Sequence, residues 1–84
     1  MSEHKVILSP RSKERALYML EQNKLEFYVS RISSKGDIKR AIKALFQIEV
    51  SKVNTRITKE GKLAIVKLAD GHSAEDLSNR LGIL

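Results

Sequence analysis

The sequence predicts an α+β fold: a small α/β sandwich built on a mostly antiparallel four-stranded sheet, in the order β-α-β-α-β-β-α. Three observations carry that prediction. Leu25, Phe27 and Val29 alternate with Glu26, Tyr28 and Ser30, the period of a strand with one buried face. Ile38, Ala41, Ile42, Leu45 and Phe46 recur at the spacing of one helix face. Leu63 to Ala69 is nearly all apolar, as in a strand covered on both faces, so helices are expected on both sides of the sheet.

The elements follow in order. Lys5 to Leu8 is a short candidate strand, which Pro10 ends as it leads into a helix. That helix starts from Ser12 as N-cap, with Glu14 near its positive end; Ala16, Leu17 and Leu20 share its inner face. Asn23 tolerates a left-handed turn and ends it. After the strand 25–31, the loop Ser33–Gly36 offers Ser34 or Gly36 as cap of the second helix, with Asp37 in its first turn. The third strand carries Ile48 and Val50, then Val53, Thr55 and Ile57. The spacing of three between the valines predicts a bulge at Ser51–Lys52. Thr58 to Gly61 is a tight hairpin turn, with Gly61 free to take positive φ. Ser73 caps a last helix whose inner face holds Ala74, Leu77 and Leu81.

Eighty-four residues make one domain, 1–84, with 42% hydrophobic residues. A chain of this size buries only about 60% of its unfolded surface, so the core is thin. There is no cysteine, hence no disulfide and no zinc–thiolate site. No stretch has the length of a signal peptide or a membrane span, and no direct membrane insertion is expected. His4 and His72 lack a carboxylate or nucleophile to orient them and read as surface residues; Asp70, Glu75 and Asp76 read as helix-start partners. No enzyme, metal site, cofactor or small-molecule substrate is expected.

The net charge of +6 is uneven. Residues 31–67 carry Arg31, Lys35, Lys39, Arg40, Lys43, Lys52, Arg56, Lys59, Lys62 and Lys67 against Asp37, Glu49 and Glu60, a balance of +7. A helix that buries one face and turns Lys39, Arg40 and Lys43 to water suits a polyanion. Single-strand readers stack bases on several aromatics, and here only Tyr28 is placed for that. The pattern therefore favours binding to folded RNA through phosphates and shape. Asn54 and Thr55 add short polar groups beside Lys52 and Arg56; Asn54 reads equally well as a turn residue.

These residues also carry a resemblance. Lys35-Gly-Asp-Ile-Lys39, then Arg40 to Phe46, then Ile48, Val50 and Val53-Asn-Thr55 resemble the signature of the universal large-subunit ribosomal protein L twenty-three family. Upstream, Pro10, Glu14, Arg15 and Ala16 look like its Pro-x-x-Thr-Glu-Lys-Ala segment, and Asn23-Lys24-Leu25 with Phe27 and Val29 also fits. Ser73-Ala-Glu-Asp-Leu77 is similar to the short archaeal-type members.

The resemblance implies a cytoplasmic protein of the large ribosomal subunit, bound to large-subunit ribosomal RNA at the rim of the polypeptide exit tunnel. Its partners would include neighbouring large-subunit ribosomal proteins. Signal recognition particle, chaperones or the translocon would dock there. RNA contacts would fall on Lys35, Lys39, Arg40, Lys43, Lys52, Asn54, Thr55, Arg56, Lys59 and Lys62, and docking on Glu14 with Arg15 and Arg11. Lys13 stands where the family has Thr or Ser, which makes the docking surface more basic. The tight turn at Lys59–Gly61 replaces the long basic hairpin that bacterial members extend into the tunnel. The alternative reading is a free basic RNA-binding regulator outside the ribosome.

Overall fold

The computed structural model describes residues 6–10 and 16–81. Seven elements follow one another: β1 (Ile7–Pro10), α1 (Ala16–Glu21), β2 (Lys24–Val29), α2 (Lys35–Phe46), β3 (Val50–Thr58), β4 (Gly61–Leu68) and α3 (Ala74–Leu81). The strands form a single sheet in the order β1-β2-β4-β3, with every neighbouring pair antiparallel. The α+β sandwich and the order of its elements agree with the sequence prediction.

Register divides the sheet into two faces. Leu25 pairs with Val66 and Phe27 with Ala64, while Val53 and Thr55 meet the same two β4 residues from the other side. These side chains make the first face. Leu25, Phe27, Val53, Ala64 and Val66 join Ile38, Ala41 and Ile42 of α2 and Ala74 and Leu77 of α3 in one apolar cluster. Phe27 is fully buried, and its ring stacks on that of Phe46 with centroids 6.3 Å apart. The second face carries Tyr28, Leu63 and Arg56 in one row and Glu26, Ile65 and Asn54 in the next. Leu63 on this face is as completely buried as Ala64 and Val66 on the other. β4 is therefore covered on both sides, as its apolar run predicts.

The bulge in β3 lies where the valine spacing places it. Val50 pairs with Leu68 and Lys52 with Lys67, which leaves Ser51 as the extra residue. The bulge keeps Val50 and Val53 on the same face although three positions separate them. At the far end of β3, Lys59 and Glu60 form a two-residue turn closed by the Thr58–Gly61 pair, and Gly61 has φ +140°. The Thr58 hydroxyl donates to the Gly61 carbonyl at 2.9 Å.

The first strand differs from its predicted bounds. It runs from Ile7 to Pro10 rather than from Lys5 to Leu8, with Pro10 inside it and opposite Phe27. β1 is an edge strand, so a residue without an N–H is tolerated there. A second register shift between Ile7 and Ser9 leaves Leu8 exposed. The predicted cap Ser12 lies outside the described residues.

Just beyond α1, Asn23 is left-handed with φ 59°, as its sequence suggests. Its side chain does more than permit a turn. The Nδ2 group donates to the His72 carbonyl at 3.0 Å, and Oδ1 accepts the Ala74 N–H at 2.8 Å. The Leu68 N–H donates to the Asn23 carbonyl at 3.1 Å. One residue thus joins the start of β2 to the end of β4 and caps α3. Ser73, the predicted cap, acts beside it by accepting the Asp76 N–H at 3.2 Å.

Candidate nucleic-acid interface

α2 positions the first group of cations. Ser34 is its N-cap: the hydroxyl accepts the Asp37 N–H at 3.1 Å, and the Asp37 carboxylate accepts the Ser34 N–H at 2.9 Å. This reciprocal box leaves Gly36 inside the helix and settles the choice of cap. The other end closes on Gln47, left-handed at φ 60°, whose N–H donates to the Lys43 carbonyl at 2.8 Å. With Ile38, Ala41 and Ile42 buried, Lys35, Lys39, Arg40 and Lys43 are all exposed.

Two of these four are engaged within the chain. Arg40 donates to the second Asp37 oxygen at 2.5 Å, and Lys43 meets Glu49 at 2.9 Å. The bond from the Ser34 N–H, then the Ser34 hydroxyl and Arg40, hold the Asp37 carboxyl below its ordinary range. The bond from Lys43 lowers Glu49, and the same contact raises Lys43. A depressed carboxylate stabilises the fold above its unfolded pKa and loses that contribution as pH falls through the folded value. The anchorage of α2 by Asp37 and Glu49 should therefore hold at neutral pH and weaken in acid, below the ordinary values of 3.8 and 4.5. Ser34→Ala should cost about 1 kcal/mol at pH 7 in urea denaturation. The deficit should shrink only in acid, as pH falls through the lowered Asp37 value and the parent protein loses the carboxylate's contact with the Ser34 hydroxyl.

β3 supplies the second group. Lys52, Asn54 and Arg56 alternate with Val53, Thr55 and Ile57, and the first three are exposed on the second face of the sheet. Thr55 lies on the first face and is half-buried, so it does not share a surface with Asn54. Lys59 is exposed at the turn. Lys62 is half-buried and donates to the Ser33 carbonyl at 2.6 Å, tying the β3–β4 hairpin to the loop before α2. Ser33 is itself buried, with its hydroxyl donating to the Ser30 carbonyl at 2.6 Å.

The cations are consequently not one patch. α2 lies over the first face and turns its cations outward from there. Lys52, Asn54 and Arg56 project from the opposite face, with the sheet in between. The sequence-predicted residues Arg11, Glu14 and Arg15 lie outside the described residues. Among the described residues there is no group of three or more His, Cys, Asp or Glu able to hold a metal ion. No described helix is long and apolar enough to cross a membrane.

Sequence reasoning passes over Lys24 and Lys67, which lie on the same face as Lys52. Lys24 alternates with Leu25 in β2 and Lys67 is the exposed break in the apolar run of β4, but only the register shows that they align with Lys52.

Comparison with known proteins finds clear relatives of the chain. The family model described as ribosomal protein L23 matches residues 5–75. The chain is 42% identical over 85 residues to large ribosomal subunit protein uL23 of Methanothermobacter thermautotrophicus, covering 99% of each chain. It is 45% identical to the protein of that name from Methanococcus vannielii, again over 99% of each. The Picrophilus torridus protein is 45% identical over 78 residues, 92% of this chain and 95% of its own.

Proposed function

The chain belongs to the ribosomal protein L23 family, and from that premise we propose that it binds large-subunit ribosomal RNA at the rim of the polypeptide exit tunnel. As a member it is a structural, non-enzymatic component of the large ribosomal subunit, in the cytoplasm, with ribosomal RNA and ribosomal proteins as partners. The observation that carries the RNA reading is the display of unburied cations on both sides of one thin domain, on α2 and on β3. Such surfaces neutralise phosphates from more than one direction, as a protein wedged between RNA segments must. The two-residue turn at Lys59–Glu60 supports a position at the rim without reach into the tunnel lumen.

On this reading the phosphate contacts are shared by Lys35, Lys39, Arg40 and Lys43 on α2, Lys52, Asn54 and Arg56 on β3, and Lys59 at the turn. Thr55 and Lys62 serve mainly inside the fold, the one by its half-buried place on the first face and the other through its bond to Ser33. The segment with Arg11, Glu14 and Arg15 would offer the docking point for signal recognition particle, chaperones or the translocon.

Sucrose-gradient sedimentation of a lysate tests the assignment. Near-stoichiometric comigration with large subunits through a moderate salt wash is expected. A free pool at the top of the gradient at every salt concentration would instead mean an RNA-binding regulator outside the ribosome. The helix surface is tested by Lys39→Ala with Arg40→Ala. That double variant should weaken RNA binding and flatten its salt dependence by about 0.7–0.9 for each phosphate it no longer neutralises. Cooperative melting should be retained, because both side chains are exposed; its loss would show that they support the fold instead.

A further inference from the structure

Register places three lysines side by side on the second face of the sheet. Lys24 of β2 and Lys52 of β3 both pair with Lys67 of β4, one from each side. Directly opposed residues on antiparallel strands bring their Cβ atoms to about 5 Å, and like charges so placed destabilise a sheet. Lys52 and Lys67 are exposed and Lys24 is half-buried. None of the three makes an ion pair among the described residues, whereas Arg40 and Lys43 on α2 each have a carboxylate partner. The free protein thus holds a row of opposed cations with no carboxylate in the row itself; Glu26 lies in the next row of the same face.

Resting on the RNA-binding reading above, we propose that Lys24, Lys67 and Lys52 form a phosphate-binding row on which one strand of large-subunit RNA crosses the sheet, transverse to β2, β4 and β3. The row ends on edge strand β3, along which Asn54 and Arg56 follow Lys52 on the same face in the two neighbouring rows, placed for sugar and phosphate groups beside the crossing strand. Long lysine stems let the three ammonium groups spread to meet successive phosphates, and the arriving anions relieve the repulsion between them. An acidic protein segment fits less well. Protein partners anchor on apolar contacts. The large apolar residues exposed among the described ones, Leu8, Ile32 and Ile57, are a bulge residue of β1, a loop residue and a first-face residue of β3.

The test is binding of the full chain to protein-free large-subunit RNA across a salt series, read beside thermal melting of the free protein. Lys24→Gln with Lys67→Thr should reduce the steepness of log K against log salt by about 1.5, while the melting temperature holds or rises. Lys67→Arg, which keeps the charge, should bind with the parent slope. Unchanged affinity and slope in the double variant, with Lys39→Ala/Arg40→Ala still impaired, would overturn the row and leave the RNA reading standing. A parent protein without salt-dependent RNA binding would overturn both. A lowered melting temperature accompanying the loss of binding would assign the lysines a structural role and overturn the proposal. So would unchanged RNA binding with loss of affinity for a poly-glutamate peptide.

Discussion

Phe27→Ala is expected to destabilise the domain by about 4 kcal/mol, within the range for removing a buried aromatic side chain. Phe27 is the largest fully buried side chain described, on the strand between β1 and the central β4. Its loss would leave a cavity in the cluster that holds Ile38 and Ile42 and remove the stacking partner of Phe46. Domains of this kind have roughly 5–15 kcal/mol in total, so the variant should be marginal. Thermal melting should fall by about 20 °C, at roughly 5 °C per kcal/mol. Phe46→Ala is the internal comparison. Phe46 is only half-buried at the end of α2, so its truncation should cost clearly less. Equal losses in urea denaturation would contradict this description of the core.

The second large effect belongs to Asn23. Asn23→Ala should cost about 3 kcal/mol from three sources of similar size. A β-carbon without a polar group is strained in the left-handed region by about 1 kcal/mol. The Ala74 N–H loses its capping acceptor, worth about 1 kcal/mol. The His72 carbonyl loses a donor, about 1 kcal/mol more. Variants separate these contributions. Asn23→Gly should recover the backbone part alone and cost about 2 kcal/mol. Asn23→Asp keeps an acceptor at the start of α3 and should be the mildest of the three. Chemical denaturation of the set should rank alanine, glycine and aspartate in that order of damage. If glycine matched the parent protein, the side-chain bonds would be contributing nothing.

Asn23 also shows where sequence reading stops. Its left-handed backbone is legible, because asparagine at the end of an apolar-periodic stretch has a local meaning. Its bonds to His72 and Ala74 are not, since they join residues separated by most of the domain. The bulge at Ser51 is legible for the opposite reason: a change of parity within one strand is written in neighbouring residues. The β1 bounds depart from the prediction because Pro10 signals a break only in strands whose N–H groups are needed, and nothing local shows that β1 lies at an edge.

The candidate interface divides along the same line. Periodicity alone exposes Lys39, Arg40 and Lys43 and turns Lys52, Asn54 and Arg56 together. Periodicity within separate elements cannot show that the sheet stands between the two groups. Nor can it show that Lys62 is bound to Ser33, or that Lys24 and Lys67 align with Lys52. Asp37 three residues before Arg40 is a readable ion pair. Lys43 with Glu49 is less so, because the chain turns at Gln47 between them.

The strand order β1-β2-β4-β3 also fixes a timetable for synthesis. β4 joins the two halves of the sheet, yet it is translated after both. A nascent chain that has reached residue 60 holds β1 and β2 on one side and β3 on the other, with no strand to link them. The cluster around Phe27 then lacks Ala64, Val66 and Leu68 as well as Ala74 and Leu77. The fold therefore cannot be assembled progressively from its first residue. It must close late, in one step, once the last quarter of the chain is free to enter between strands that have been waiting with open edges.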